Sequence, residues 1–319
     1  MRIISAGNVH VNYGAEALLN RALKRAGHEV IEVFYPTRKE DYSIFNETLK
    51  DQIKGTRPEL VIVGKVPGLT YDKIIELKNE CGIPIVQMTY DLMRKLGVDD
   101  RPSWWYPQIK AGGFDWVFGA SDNKQDKENI NKYTDRYSCL REGVDSILHK
   151  PILTQFEENK EKYQADVAFT GAPYNEFRRE MMLLFNHEKR FEFRHYGNLF
   201  LGDLANMASV TKLSIGTNFY DDIQGYWSAR MFENMGVGLT FLTPYIKGMR
   251  KEGLVNKRNC IYYNPRDLNS LRNKILYYKD NPDICRKIRD NAIKLIFKKH
   301  TFDVRVKDMF KILKKKKVI

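Results

Sequence analysis

The sequence lacks the short signatures that would settle its chemistry at a glance. Its four cysteines, Cys81, Cys139, Cys260 and Cys285, stand singly. No Cys-x-x-Cys pair and no Cys/His cluster at zinc-ligand spacing occurs, which argues against a zinc site or a dithiol redox pair and for small buried thiols in a reducing compartment. No apolar run approaches the roughly 18 residues of a membrane span. The chain opens on a strand-like Arg2-Ile3-Ile4-Ser5 rather than on a leader, so a cytoplasmic protein is expected. Its glycines do not fall into Gly-x-Gly-x-x-Gly, which leaves a nicotinamide-dependent oxidoreductase with little support. Apart from Lys314 to Lys317 there is no low-complexity segment and no short-period repeat.

What is present is length, charge and a repeated grammar. At 319 residues and 43% apolar content the chain is long for one core and comfortable for two. The net charge of +13 concentrates at the end, where Arg286 to Ile319 carry 13 Lys/Arg against 3 Asp/Glu. Such a tail favours an anionic surface, either a membrane, nucleic acid or an acidic polymer. The alternative is a solvated tail in a lysine-rich chain.

Short β-branched runs alternate with amphipathic stretches. Arg2 to Ser5, Glu29 to Tyr35, Glu59 to Gly64, Pro84 to Tyr90, Asp115 to Ala120 and Tyr137 to Leu140 read as strands. Leu60-Val61-Ile62-Val63 is apolar on both faces, the mark of a parallel sheet covered by helices. Ala15 to Ala26 and Tyr71 to Cys81 are the helices between, ended by Gly27 and Gly82. The charged stretch Pro151 to Gln164 reads as a linker or surface helix. The grammar then restarts with strands at Ala165 to Gly171, Phe191 to Gly197, Lys212 to Gly216, Val237 to Thr243 and Asn259 to Tyr263. Helices are expected at 176–186, 203–209, 229–235, 268–279 and 282–297, with Pro282 at a helix start. The spacing predicts an α/β protein: a first domain over 1–150, a linker over 151–164, a second domain over 165–300, and a closing helix and basic tail over 301–319.

Several pieces of the second half carry a family likeness. They are Asp166 to Gly171, the strand ending His195-Tyr196-Gly197, Lys212 to Asn218, Arg230-Met231-Phe232-Glu233 with Gly236, Leu242-Thr243, and His300-Thr301-Phe302 with Arg305. In this order and spacing they resemble the nucleotide-binding domain of two-domain (GT-B) glycosyltransferases, more narrowly the spore-coat-protein-like branch of the group 1 transferases. The first half is similar more loosely, through Pro58 to Val63 and Tyr90-Asp91. The resemblance implies two Rossmann-like domains facing a cleft, a UDP-sugar or similar nucleotide-sugar donor in the second domain, an acceptor over the first, and no cofactor or essential metal. Related retaining enzymes often place two glutamates eight positions apart at this motif. Glu233 matches the second, but the first position is Gly225, so the sugar contacts differ or the chain is an inactive, binding-only relative.

A diphosphate donor held without a metal needs cationic side chains and helix N-termini against its leaving group. Glu233 is the candidate for the ribose hydroxyls, or an ordinary helix acid. Gly225, Tyr226, Trp227 and Ser228 precede that helix, and their backbone N–H groups are candidates for the phosphates; the two aromatics equally read as packing. Arg178, seven residues after the Gly171 turn, is placed to reach a phosphate bidentately. Lys212 reads either as a second cation at the site or as a surface lysine, and Arg230 as a further charge or a partner for a neighbouring acid.

In the first half, the loop Gly7 to Gly14, with His10 and Asn12, follows the first strand, at the edge where such sheets take ligands. His10 is a sugar or phosphate contact or a plain surface histidine. Asp91 ends a strand and reads as an acceptor-orienting acid, a general base, or a helix cap. In a retaining reaction no protein base is required, because the leaving phosphate takes the acceptor proton. Trp104, Trp105 and Tyr106 read as a stacking platform or as packing. The expected activity is sugar transfer, with retention, to a glycan, a lipid-linked glycan or a hydroxylated base in DNA.

Overall fold

The computed structural model describes residues 1–36, 41–66, 68–90, 113–131, 134–173, 175–218 and 223–319. Asp91, Trp104, Trp105 and Tyr106 lie outside the described residues. The chain divides into two units, residues 1–145 with 302–319, and residues 146–301.

The first unit is built on six parallel strands, β1 (Arg2–Gly7), β2 (Glu29–Phe34), β3 (Leu60–Val63), β4 (Ile85–Met88), β5 (Trp116–Gly119) and β6 (Tyr137–Cys139), in the order β2-β1-β3-β4-β5-β6. All four residues of β3 are buried, as the run of β-branched residues requires. Val61 and Val63 join Ile4 and Ala6 on one face. That face packs on Phe45, Leu49 and Ile53 of α2 (Tyr42–Thr56) and on Ile74 and Leu77 of α3 (Tyr71–Cys81). Burying each such side chain stabilises the fold by roughly 1.5–3 kcal/mol. Thr70 caps α3 at its start, and Gly82 ends it in the left-handed region at φ 64°.

α1 (Ala15–Arg25) presents Leu18, Leu19 and Leu23 to the core. α4 (Lys124–Asn131) links β5 to β6. The chain's last helix packs on α1 and so belongs to this unit. It is fixed by ion pairs: Arg25 meets Asp303 at 2.7 Å and Asp145 at 2.9 Å, and Arg305 Nε donates to the Arg141 carbonyl. Of the basic tail that follows, Lys316 lies 5.1 Å from the centroid of the Trp116 ring.

The second unit has five parallel strands, β7 (Val167–Thr170), β8 (Phe193–Tyr196), β9 (Leu213–Ile215), β10 (Thr240–Pro244) and β11 (Ile261–Tyr263), in the order β11-β10-β9-β7-β8. Within the stretch expected as a linker or surface helix, residues 157–163 form α5 (Glu157–Tyr163), whose Tyr163 is buried and donates to Asp203. α6 (Glu176–Asn186), α7 (Leu201–Val210), α8 (Ala229–Gly236), α9 (Leu268–Lys279) and α10 (Pro282–Lys299) complete the unit, and α11 (Phe302–Lys315) is the last helix already described. Asn175, Ser228 and Asp267 cap α6, α8 and α9 through their side chains. Phe169, Ile215 and Leu242 form the core with Met181 and Phe185 of α6 and Leu271 and Ile275 of α9.

Both sheets reverse their winding after the second strand. The reversal falls between β1 and β3 in the first and between β7 and β9 in the second. Ligands of open parallel sheets bind at such points, beyond the carboxyl ends of the strands.

Candidate active site

At the reversal point of the second sheet the chain leaves β7 through Gly171, at φ 139°, a conformation that side chains rarely adopt. The Gly171 carbonyl accepts from His195 Nε2 at 2.6 Å, and the His195 ring stacks on Phe169. Beside it the chain leaves β9 through Gly216, Thr217 and Asn218.

Arg178 joins the two exits. It is 3% exposed. Its Nη1 donates to the Ala172 carbonyl at 2.8 Å, its Nε to Thr217 Oγ1 at 2.5 Å, and its Nη2 to the Thr217 carbonyl at 3.2 Å. The guanidinium also faces the Phe169 ring at 5.6 Å. The bidentate phosphate contact expected of Arg178 is therefore corrected: its three nitrogens donate to the two loops within the protein.

α8 starts over the same edge. Asn218 Oδ1 accepts from Ser228 N at 2.8 Å, and Ser228 Oγ caps Arg230 N at 3.3 Å. Asn234 ties the helix to the sheet, accepting from Ser214 Oγ at 2.8 Å and donating to the Arg230 carbonyl at 2.7 Å. Met231, Phe232 and Met235 are buried, and Phe232 stacks on His300 at 4.3 Å. Arg230 and Glu233, three residues apart, share a helix face.

Arg230 reaches back over the β7 turn, so that a Cβ on Gly171 would lie 3.3 Å from its Nη1. Among the described residues its guanidinium makes no hydrogen bond or ion pair. Glu233 is half-buried and likewise has no such partner. Burial pushes its carboxyl above the ordinary value, with the charge of Arg230 pulling the other way. Thr170, Thr217, Asn218, Ser228, Arg230 and Asn234 line a narrow recess of about 10 Å³. That is room for the tip of a ligand rather than for a whole nucleotide. An unpaired guanidinium beside the start of a helix suits an anion, and a carboxylate one turn on suits a pair of hydroxyls.

The loop before α8 differs from its sequence reading. The N–H of Gly225 donates to the Lys247 carbonyl, that of Tyr226 to the Ile223 carbonyl, and that of Ser228 to Asn218. These three groups are committed inside the protein instead of facing an anion. Trp227 is buried and Tyr226 half-buried. Gly225 sits at φ 75°, close against Gly248. A glutamate could not replace it without strain.

Lys212 is a second correction. It precedes β9 at the amino edge, where it pairs with Asp166 at 2.9 Å and is 55% exposed. It stands at the opposite end of the strand from Gly216.

In the first unit, Gly7 is buried at the end of β1, while His10 and Asn12 are exposed in the loop and Gly14 precedes α1. His10 lies near the Phe34 ring, with centroids 6.4 Å apart. Asp91 lies outside the described residues. The sequence reading weighed Arg230 without choosing it and gave Thr217, Asn218 and Asn234 no individual role. The available signal was the three-residue interval from Arg230 to Glu233. Among the described residues no group of three or more His, Cys, Asp or Glu side chains could hold a metal ion.

The glycosyl transferase-like family matches residues 150–311, just over half of the chain. The chain belongs to that family. It is a glycosyltransferase, and its two Rossmann-like units are the GT-B fold. The fold is shared with solved structures of low identity. A glycosyltransferase from Rickettsia africae has 11% identity and a TM-score of 0.68, with 99% of this chain and 98% of that one covered. Anabaena HepE, solved with UDP and glucose, has 10% identity and a TM-score of 0.67, over 99% and 100% of the two chains. An α-glucosyltransferase, solved with UDP and a 13-mer DNA containing an HMU base, has 11% identity and a TM-score of 0.68, over 98% and 99%. No curated protein matches the chain by sequence. No helix among the described residues is long and apolar enough to cross a membrane.

Proposed function

We propose that the glycosyltransferase takes its sugar from a nucleoside-diphosphate donor held at the carboxyl edge of the second sheet. The observation that carries this reading is the guanidinium of Arg230, unpaired over Gly171 and one helical turn before Glu233. Arg230 and the start of α8 meet the diphosphate, and Glu233 accepts from the ribose hydroxyls. Arg178 is a positioning residue that holds both loops through Ala172 and Thr217.

Charge on the diphosphate grows as the sugar bond breaks. A cation fixed beforehand at that point therefore stabilises the transition state more than the bound donor. Arg230 and the helix terminus supply this without a metal. Transfer with retention, the leaving phosphate taking the acceptor's proton, belongs to the same proposal, as does the narrower likeness to the spore-coat-protein-like branch. UDP is the nucleotide of choice because the fold is shared with proteins solved with UDP.

The test is calorimetric titration of the protein with UDP, GDP and ADP. Arg230→Ala is expected to weaken the best of them and to lower kcat/KM about 100-fold, with little change in melting temperature because the side chain has no partner to lose. Unchanged nucleotide affinity in Arg230→Ala and in Glu233→Ala rejects the assignment.

A further inference from the structure

At the amino edge of the first sheet a cavity of about 550 Å³ opens beside the starts of β4, β5 and β6. Lys78 of α3, Asp115, Trp116, Arg136, Lys316 and Lys317 are among its lining. The basic tail, expected from the sequence to favour an anionic surface, thus supplies part of the wall. Backbone bonds fix it there. Lys317 N donates to the Lys314 carbonyl at 3.1 Å and Val318 N to the Leu313 carbonyl at 2.9 Å, with Lys317 in the left-handed region at φ 56°.

The charges of this lining do not cancel. Asp115, the single acid among the described lining residues, is engaged inside the protein. Its Oδ1 accepts from Lys78 Nζ at 2.8 Å and its Oδ2 from Ile85 N at 2.8 Å. That leaves Arg136, Lys316 and Lys317. All three are exposed, and among the described residues none of their side chains makes a hydrogen bond or ion pair. The Lys316 ammonium stands 5.1 Å from the centroid of the Trp116 ring, a contact that leaves its N–H groups free to donate. Basic side chains near helix C-termini often answer the last carbonyls. Here the backbone answers them: Gly82 N donates to the Lys78 carbonyl at the end of α3, and Lys316 N to that of Ile312 in α11. Three like charges on one cavity repel one another, and an anion of more than one charge relieves the repulsion. Arg136 offers a planar fork that matches phosphate oxygens, and the lysines add point charges. A terminal phosphate concentrates nearly two charges on one centre, whereas a carboxylate carries one.

We infer that this cavity is a phosphate site, built for a group of more than one negative charge that is either free in solution or part of a lipid headgroup. The inference does not rest on the donor reading, which concerns the second unit.

Calorimetric titration of the full chain with inorganic triphosphate and with citrate tests it. The titration is run on the wild type and on Arg230→Ala, which lacks the cation of the proposed donor site. In both, triphosphate is expected to bind this cavity, and more tightly than citrate. Added to Arg230→Ala, the change Arg136→Ala is expected to weaken triphosphate about tenfold, the size of one hydrogen bond to a charged group. Lys317→Ala is expected to weaken it about threefold. Neither side chain has a partner to lose, so the melting temperature should hold. Lys287→Ala and Lys294→Ala remove the same charge from exposed positions of α10 and should leave the affinity within about twofold. Flotation with phosphatidylcholine vesicles, with and without phosphatidylglycerol, identifies the source. Capture by the anionic vesicles that Arg136→Ala weakens assigns a lipid headgroup. Triphosphate binding without capture assigns a free phosphate compound. The inference is overturned if neither triphosphate nor the anionic vesicles bind, or if citrate binds as tightly as triphosphate. It is overturned equally if Arg136→Ala and Lys317→Ala bind unchanged, or if Lys287→Ala weakens binding as much as they do. Triphosphate binding that is present in the wild type and lost in Arg230→Ala overturns this inference and leaves the donor reading standing.

Discussion

At the carboxyl edge of the first sheet, Glu16, Lys65 and Glu142 are among the described residues that line a cavity of about 480 Å³. At the same edge of the second sheet, an arginine stands over a glycine turn with one glutamate a helical turn behind it. The two sheets share a winding reversal and a parallel architecture, so the backbone does not distinguish them. The difference lies in which charge the loops carry. Acids suit a ligand rich in hydroxyls, and a cation at a helix start suits a diphosphate.

Within the second sheet the largest expected effect separates two arginines. Arg178→Ala removes three donated hydrogen bonds from a side chain that is 3% exposed. It leaves the Thr217 and Ala172 carbonyls short of a donor. A stability loss of about 3 kcal/mol is expected, read as a lower urea midpoint, together with weaker nucleotide binding as the loops part. Arg230→Ala loses binding without stability. If Arg178→Ala instead unfolds within about 0.5 kcal/mol of the wild type, the division between positioning and binding residue fails.

A smaller effect concerns Glu233 and pH. Burial raises its carboxyl above the ordinary value of 4.5, against the pull of Arg230. As pH falls through this raised pKa the carboxylate takes a proton and becomes a poorer acceptor for hydroxyls. Nucleotide affinity is then expected to fall about tenfold. Stability moves the other way. The folded state binds the proton more tightly than the unfolded chain, so this group's contribution is fully present below the ordinary value and is lost as pH rises through the raised one. Glu233→Gln should remove both inflections from the calorimetric and denaturation profiles; an affinity curve that keeps its shape in Glu233→Gln assigns the titration elsewhere.

The strands were legible because a covered parallel sheet demands continuous apolar runs, and Leu60 to Val63 is such a run with every residue buried. Helix α2 was not, because its core contact reduces to Phe45, Leu49 and Ile53 amid polar residues. At the carboxyl edge of the second sheet, the Gly171 turn was legible from the strand that it ends. Arg178 was found, but its direction was not. Whether a guanidinium turns outward to a ligand or inward to Ala172 and Thr217 depends on how β7 and β9 sit side by side, which local spacing does not encode. The backbone of 225–228 failed for the same reason, since its acceptors at Lys247 and Asn218 come from other loops.

In the first sheet, Gln87 offers a test of modest size. It is fully buried between Val63 and Val117 on the neighbouring strands, and neither atom of its amide has a hydrogen-bond partner. Gln87→Leu keeps the volume and removes two unsatisfied groups. A gain of about 1 kcal/mol is expected, seen as a melting temperature higher by about 2–4 °C. Nucleotide affinity at the second sheet should stay as it was. A loss of stability would mean that the amide has a partner after all.

The smallest effect belongs to Lys212, and it probes the comparison by its silence. Asp166 accepts from Lys212 and from the Glu192 N–H at the amino edge of the second sheet. Burial there would raise its carboxyl, but these two donors hold it below the usual range. The stabilisation is present above the ordinary carboxylate value and is lost as pH falls through the depressed one. Lys212 is 55% exposed, so solvent screens most of the pair, and Lys212→Ala should cost about 0.5 kcal/mol at neutral pH. Nucleotide affinity and turnover should not change, because the strand separates this lysine from Gly171 and Arg230. A tenfold loss of affinity in Lys212→Ala, with the melting curve intact, would move the diphosphate to the amino edge.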